Sequence, residues 1–494
     1  MKLFILRFFC ILPACMLAGC FQVGPVYKTP VVKTENIWLA ESDSTITAKS
    51  IVDPRWWASS FKDPQLDHLI DLALGQNLSL LSAGLRVLQA QQQLAIAIGN
   101  QYPQQQQLSG SSSRQKANAI TFNNYSLGFN VGWEADLWGR FRYQVESAAA
   151  GLDGSVAAYD GVLISLVAQV AQNYVLMRTY QQRLAVAREN ILLQEKSLQI
   201  AKAKLQAGEV SELDVDQAES LLHNTRASVP SYEASIQQLK NGMAILLGTT
   251  PAKFNDLIMN KEPIPRTSVT VAVGMPQDLI RRRPDVRLAE RQLAAQSANI
   301  GFAITDLYPH LTIGGAIGTS SVKSSDLFTN DTKTWSLFGM FEWNIFNYGR
   351  LKSNVRLQDA VFQQLLVDYL NNILVAQGEV EDAIVGYVKS HEQLAIYEQA
   401  AAASQRAVRI SSIQYQEGSI PFNTLITTLQ SNLQQQDLLV ASEGQAAVNL
   451  VSVYKALGGG WEIRKNQDPV NLLPVEMKKA MIERTEAWKG VLVE

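Results

Sequence analysis

Cysteine is almost absent from this chain. Of 494 residues only three are cysteine, at positions 10, 15 and 20. An exported protein with none further on has no disulfide framework, no thiol nucleophile and no zinc-type cysteine cluster, so packing alone must hold its fold. Histidine is as scarce. The four, His68, His223, His310 and His391, are scattered without metal-ligand spacing. No glycine-rich phosphate loop, Walker lysine or nucleophile elbow appears. These absences argue against an enzyme and against a bound metal or cofactor. Charged residues make up 18% and the formal net charge is -2, which excludes the basic footprint of a nucleic-acid binder. After the first twenty residues no apolar run reaches the roughly 18 residues of a membrane-spanning helix. A membrane crossing would therefore need β-strands closed into a barrel.

What is present begins at the N-terminus. Lys2 and Arg7 give a basic start, an apolar run broken by Pro13 follows, and Leu17-Ala18-Gly19-Cys20 ends it. That order reads as a secretory leader and not as a membrane span. Cysteine directly after Leu-Ala-Gly resembles the bacterial lipobox, so Cys20 is expected to carry covalent lipid. Phe21, which is not Asp, implies sorting to the outer membrane by the same resemblance.

The rest of the chain is one unit used twice. Trp133 recurs as Trp343, Gly139-Arg140 as Gly349-Arg350, Gly208 as Gly418, and Leu247-Gly248 as Leu457-Gly458, each 210 residues apart. Tyr102-Pro103 recurs as Tyr308-Pro309 at an offset of 206, so a loop between the Tyr-Pro and the Trp differs by four residues. The period is far too long for a solenoid. The expected organisation is a leader at 1–19, a first repeat at 20–248, an irregular linker at 249–276 marked by Pro251, Pro263, Pro265 and Pro276, a second repeat at 277–460, and a tail at 461–494 with a mixed helical pattern.

The clearest strand is 125–137. Tyr125, Leu127, Phe129, Val131, Trp133, Ala135 and Leu137 alternate with Ser126, Gly128, Asn130, Gly132, Glu134 and Asp136. Period-2 alternation puts one face in an apolar medium and the other in a polar one. A transmembrane barrel strand requires that pattern; a soluble sandwich strand shows it too. Its counterpart at 335–346 is less clean, because Phe338, Met340 and Phe346 intrude on the polar face. Residues 311–318 and 105–114 are further candidates. Four strands cannot close a barrel, since single-chain barrels begin at about eight. If they lie in lipid, several chains must share one barrel.

No proline interrupts residues 141–206 or 351–416. Each stretch would span about 100 Å as one helix, although Gly151, Gly154 and Gly161 leave room for a break. Reversals fall at Gly208 and Gly418, which suit left-handed helix C-caps. Ser211 suits the N-cap of the first return helix, and Pro421 the first turn of the second.

Strands, long paired helices, hairpin tips, a twofold repeat and a lipobox together resemble the outer-membrane factor (TolC-like) family. Pro54, Trp57, Phe61 and Asp63-Pro64-Gln65-Leu66 are similar to its N-terminal segment, and residues 279–311 to the signature of its lipoprotein, NodT-type branch. The resemblance implies an α+β fold: long helical hairpins forming a trimeric α-barrel, with four strands given to a shared twelve-stranded transmembrane barrel. It implies a homotrimeric exit duct anchored in the outer membrane, a periplasmic adaptor docked at the tips, an inner-membrane proton-driven (RND) pump, and drugs or other small toxic molecules as cargo. It also implies a gate at the tips. Asp214 stands where the family has an acidic residue and Tyr415 where it has a tyrosine, and a hydrogen bond between them would latch the hairpins. The alternative is that Asp214 only complements its helix N-terminus and Tyr415 only packs. Thr424 and Thr427 stand where aspartates are common, and Asn423 where an apolar residue is common. A gate ring of these three would carry no fixed charge; Asp216 is the remaining acidic candidate.

Two other readings compete. A trimeric coiled-coil surface protein would explain the helices but not the alternating strand. The exit of a type I protein-secretion system would use the same duct. Arg281-Arg282-Arg283 ahead of Pro284-Asp285 reads either as an anion site or, more simply, as a basic helix end before a proline-started helix.

Overall fold

In the computed structural model the described residues are 22–32, 38, 46–47, 53–117, 120–258, 262–266, 271–272, 282–464 and 466–492. The leader, Cys20, Arg281 and much of the linker lie outside them. The elements in chain order are β1 (Ile46–Thr47), α1 (Trp56–Phe61), α2 (Pro64–Gln76), α3 (Leu78–Gly99), β2 (Gln105–Ala117), β3 (Ile120–Glu134), α4 (Arg140–Gln206), α5 (Glu212–Leu246), α6 (Pro251–Leu257), β4 (Val271–Ala272), α7 (Pro284–Thr305), β5 (His310–Ser321), β6 (Lys333–Glu342), α8 (Arg350–Gln416), α9 (Phe422–Ala456) and α10 (Val475–Arg484).

The duplication is written in helix lengths. α3 and α7 have 22 residues each, α4 and α8 67, α5 and α9 35. The extra residues of the second half fall in the β5–β6 connection, which holds two short 3-10 turns, Ser324–Asp326 and Asn330–Thr332. Even a side-chain bond repeats: Trp133 Nε1 donates to the Gln101 carbonyl at 3.2 Å, and Trp343 Nε1 to that of Leu307 at 3.0 Å.

The chain divides into two compact units, and each draws on both halves of the repeat. The first comprises Met1–Val32, Arg86–Val156 and Arg287–Asn371; the second comprises Lys33–Leu85, Ala157–Val286 and Asn372–Glu494.

The first unit contains the sheet, antiparallel throughout, in the order β2-β3-β5-β6. Alternation along each strand sorts the side chains onto two faces. One face carries the row Leu108–Phe129–Ile317–Trp335, and these four are 70%, 40%, 65% and 81% exposed. The opposite face carries Gln107–Asn130–Ala316–Ser336. β2 and β6 are open edges. The strand expected at 125–137 begins at 120 and ends at 134, and that expected at 335–346 is 333–342. Past Glu134 the chain turns to start α4, where Asp136 accepts the backbone N–H groups of Phe141 and Arg142 at 3.2 Å. An N-terminal strap is docked in this unit: Tyr143 Oη donates to the Val23 carbonyl at 2.8 Å, and Tyr27 Oη to Glu290 at 2.8 Å.

Among its described residues, the regular elements of the second unit are helices apart from the two-residue parallel pairing of β1 with β4. Its motif residues have local reasons. Asp63 caps α2 by accepting from the Gln65 and Leu66 backbone, while its other oxygen takes the Tyr174 hydroxyl at 2.7 Å. Pro64 opens that helix and Gln65 Oε1 accepts from the buried Arg178 at 2.7 Å. Trp57 is fully buried, and Trp56 stacks on Tyr454 at 4.6 Å.

The break for which the glycines at 151, 154 and 161 left room is not made, and α4 is one helix. Two expectations need correction. The linker is not wholly irregular, because α6 and β4 lie in it. One window of α4 is apolar and long enough to cross a membrane, contrary to the count made from sequence, and 61% of it is buried within the protein. Burial in a protein core accounts for that apolarity as well as lipid would. The tail folds: Trp461–Arg464 forms a short turn and Val475–Arg484 a helix, and Arg464 pairs with the fully buried Asp160 at 2.6 Å.

Candidate functional site

Both hairpin tips lie in the second unit and turn by one backbone device. A chain leaving a helix must satisfy its last carbonyls, and a left-handed residue allows this. Gly208 and Gly418 each have φ +76°. At the first tip the N–H of Gly208 bonds to the Leu205 carbonyl and that of Glu209 to the Lys204 carbonyl, both at 2.9 Å. At the second, Gly418 bonds to Tyr415 at 3.1 Å and Ser419 to Gln414 at 2.8 Å. Nothing presses on Gly208, and only Lys204 Nζ lies near Gly418, at 3.9 Å from the position of an added Cβ. The backbone angle is therefore what glycine supplies here. Ser211 is the N-cap of α5, without a side-chain cap bond. Pro421 is the N-cap of α9 and not within its first turn, one step earlier than expected.

The chemistry of the two tips diverges. The first turn of α5 carries Glu212 and Asp214, and that of α9 carries no acid. Lysines hold the acidic tip: Lys204 to Glu209 at 2.8 Å and Lys202 to Glu219 at 2.6 Å. Asp216 is exposed. On the second hairpin Asn423, Thr424 and Thr427 are exposed and line a groove of about 450 Å³ with Ser404, Thr428 and Ser431. The polar groups there are amides and hydroxyls, and Ala407 completes the lining.

Tyr415 is 2% exposed. Its ring packs on Phe422 at 5.3 Å, with Lys204 Nζ 5.7 Å from its centroid. It belongs to an apolar cluster with Ala201, Val215, Leu425 and Leu429 that joins the two tips. Burial, and then the negative charges of Asp214 and Glu209, push its hydroxyl up to about 12. The expected hydrogen bond to Asp214 is not made within one chain: the Tyr415 hydroxyl has no partner among the described residues. Asp214 acts on it through space only.

Behind the tips lie residues that the sequence reading passed over. Arg183 on α4 makes a two-pronged pair with Asp437 on α9 at 2.7 Å and 2.7 Å, and Tyr232 of α5 donates to the same carboxylate at 3.1 Å. Nearer the tip, buried Asn190 bonds to Gln436 at 2.7 Å and accepts from Asn432 at 3.1 Å. Single polar residues on an otherwise apolar helix face were the available signal, and they resemble ordinary surface positions until the facing helix is known. In the same unit, Arg283 is 8% exposed and gives its donors to Asp285 at 2.7 Å, Glu379 at 2.6 Å and the Ala456 carbonyl at 3.0 Å. Burial opposes ionisation of Asp285, but the Arg283 guanidinium outweighs it and holds that carboxyl below its usual range. With its donors taken, Arg283 has none spare for an anion, although it borders a cavity of about 580 Å³.

The family model for outer membrane efflux protein matches residues 69–249 and 275–459. The chain belongs to the outer membrane efflux protein family. It is 31% identical over 444 residues to the pyoverdine export outer membrane protein OpmQ of Pseudomonas putida, covering 85% of this chain and 91% of that one. It is 29% identical over 441 residues to nodulation protein T of Rhizobium leguminosarum bv. viciae, covering 88% and 90%. Among solved structures, the outer-membrane channel OprN matches with a TM-score of 0.84 at 29% identity, over 89% of this chain and 99% of that one. The resemblance seen in sequence, the α+β channel fold and the outer-membrane location hold, and this efflux protein is an exit channel of a family of transporters, not of enzymes.

Proposed function

We propose that three copies of this efflux protein close their sheets into one twelve-stranded barrel and align their hairpins into one periplasmic tunnel, anchored by lipid on Cys20. The duct takes small toxic molecules from an inner-membrane RND pump through a periplasmic adaptor seated on the tips. The carrying observation is the uncovered row Leu108–Phe129–Ile317–Trp335 on a four-stranded sheet with two open edges. An apolar face of this size is stable against lipid, and open edges are tolerated in lipid only when they pair. A non-conducting coiled-coil protein would leave that face without a medium. Relatives named for pyoverdine export and cation efflux support small cargo over protein cargo.

The gate residues in this reading are Asp214, Tyr415, Asn423, Thr424 and Thr427, around the turns at Gly208, Ser211, Gly418 and Pro421. The Tyr415 hydroxyl, buried and without a partner among the described residues, awaits an acceptor from a neighbouring copy or from rearrangement of its own tip. The test is the oligomeric mass of the detergent-extracted protein, with single-channel recording in planar bilayers. A trimer of low resting conductance supports a closed duct. A monomer, or a trimer that never conducts even when Asp214 and Tyr415 are both replaced, removes it.

A further inference from the structure

Through its middle, the polar face of the sheet is made of uncharged and mostly small side chains. Its rows are Ser111–Ser126–Ser320, Ser109–Gly128–Gly318–Thr334 and Gln107–Asn130–Ala316–Ser336. The next row, Gln105–Gly132–Gly314–Phe338, breaks the pattern by setting an aromatic ring beside two glycines. A methyl group on Gly314 would run into Cζ, Cε1 and Cε2 of Phe338, so the end of the ring covers that glycine. The rest stays open, and Phe338 is 48% exposed. On the same face, Met340 follows in the row Glu134–Thr312–Met340 and is 51% exposed. Below it His310 stands opposite Glu342.

Among the described residues, Glu134, His310 and Glu342 are the only charged or titratable side chains on this face of the four strands. Glu134 is engaged, 2.8 Å from His310 Nδ1 and 3.9 Å from Arg140. Glu342 is exposed and no described residue engages its carboxylate. One edge strand thus presents, at alternate positions, a ring with a free surface, a polarisable thioether and an open carboxylate. Successive side chains on one face of a strand stand about 7 Å apart. A cation carrying aromatic or alkyl bulk fits such a series, because the ring and the thioether take its apolar body and the carboxylate takes its charge.

We propose that Phe338, Met340 and Glu342 form a lumenal subsite for apolar organic cations crossing the barrel. The inference rests on the channel reading above, in which this face lines the lumen.

The test uses the full-length trimer in outer-membrane vesicles, carrying Thr312→Cys beside the subsite, and follows its modification by a membrane-impermeant thiol reagent added outside. Tetraphenylphosphonium is the probe, with tetraphenylborate as an anion of the same shape. The phosphonium should slow modification about fivefold, the scale of one exposed cation–ring contact, and the borate should not. Phe338→Tyr should keep the protection; Phe338→Leu, which retains bulk over Gly314, and Glu342→Gln should each weaken it. Equal protection in Phe338→Leu, or equal protection by the borate, overturns the subsite, as does labelling without any protection. If Thr312→Cys is not labelled from outside in an assembled trimer, the face is not lumenal and the channel reading fails with it.

Discussion

The first hairpin turns at Gly208 and the second at Gly418, with the same φ and the same pair of closing hydrogen bonds, between helices of matched length. Their side chains have nothing like that agreement. α5 begins with Glu212 and Asp214, and beside them Lys204 pairs with Glu209 and Lys202 with Glu219. α9 begins without charge, behind Pro421, and shows hydroxyls and amides to solvent. A duplicated backbone needs only its turn glycines and its apolar stripe to persist, so every solvent-facing position was free to diverge. With acids in the first turn of α5 and none in that of α9, the charges at the start of the return helices stand on the first hairpin alone.

That comparison can be broken in four places. The largest effect is expected at the clamp that joins the hairpins. Arg183→Ala or Asp437→Ala should each cost about 1.5–3 kcal/mol, the range for charge-assisted bonds, because both side chains are mostly buried. Chemical denaturation of the trimer measures this, and losses under a few tenths of a kcal/mol would mean that the hairpins are joined elsewhere. Next come the turns. Gly208→Ala and Gly418→Ala should each cost about 1–2 kcal/mol for a left-handed alanine. Because neither site is crowded the two costs should match, and a clear inequality in thermal unfolding would show that the tips are not equivalent in the assembly.

Smaller is the change at Tyr415. Phe in its place keeps the ring packing and removes a buried hydroxyl without a partner among the described residues, so stability should hold or rise by up to about 1 kcal/mol. If the hydroxyl instead finds an acceptor in a neighbouring copy, stability falls and resting conductance rises, and the two outcomes are read from one preparation. Smallest in stability is Thr424→Asp, an exposed change expected within about 0.5 kcal/mol. It should make the second tip resemble the first and introduce block of the channel current by divalent cations. Equal block in the unmodified channel would show that the first hairpin already supplies the charge.

Much of this was legible beforehand because it rests on periodicity and on special backbone angles. The 210-residue repeat, the alternation in β3, the proline-free helices and the tip glycines all leave marks that do not depend on the partner surface. The strand end at Glu134 was missed because Ala135, Asp136 and Leu137 continue the alternation, while Asp136 is in fact spent on capping α4. The break allowed at Gly151, Gly154 and Gly161 did not occur because packing outweighs a loss of roughly 1 kcal/mol per glycine. At Gly154, for example, Leu288 of α7 closes to 3.3 Å of where a Cβ would stand.

By itself the sequence determined that the protein is two copies of a strand-and-long-helix unit, that its strands have one apolar face, and that its hairpins turn at two glycines. These are properties of single segments, fixed by local sterics and by which side chains water rejects. Only the tertiary structure decided that Arg183 meets Asp437, that Asn190 meets Asn432, that Tyr415 is buried short of Asp214, and that Phe338 covers Gly314. Those pairings join residues far apart in the chain or on facing elements. Their energy comes from contact between surfaces, so it is set when the surfaces meet and is written in neither segment alone.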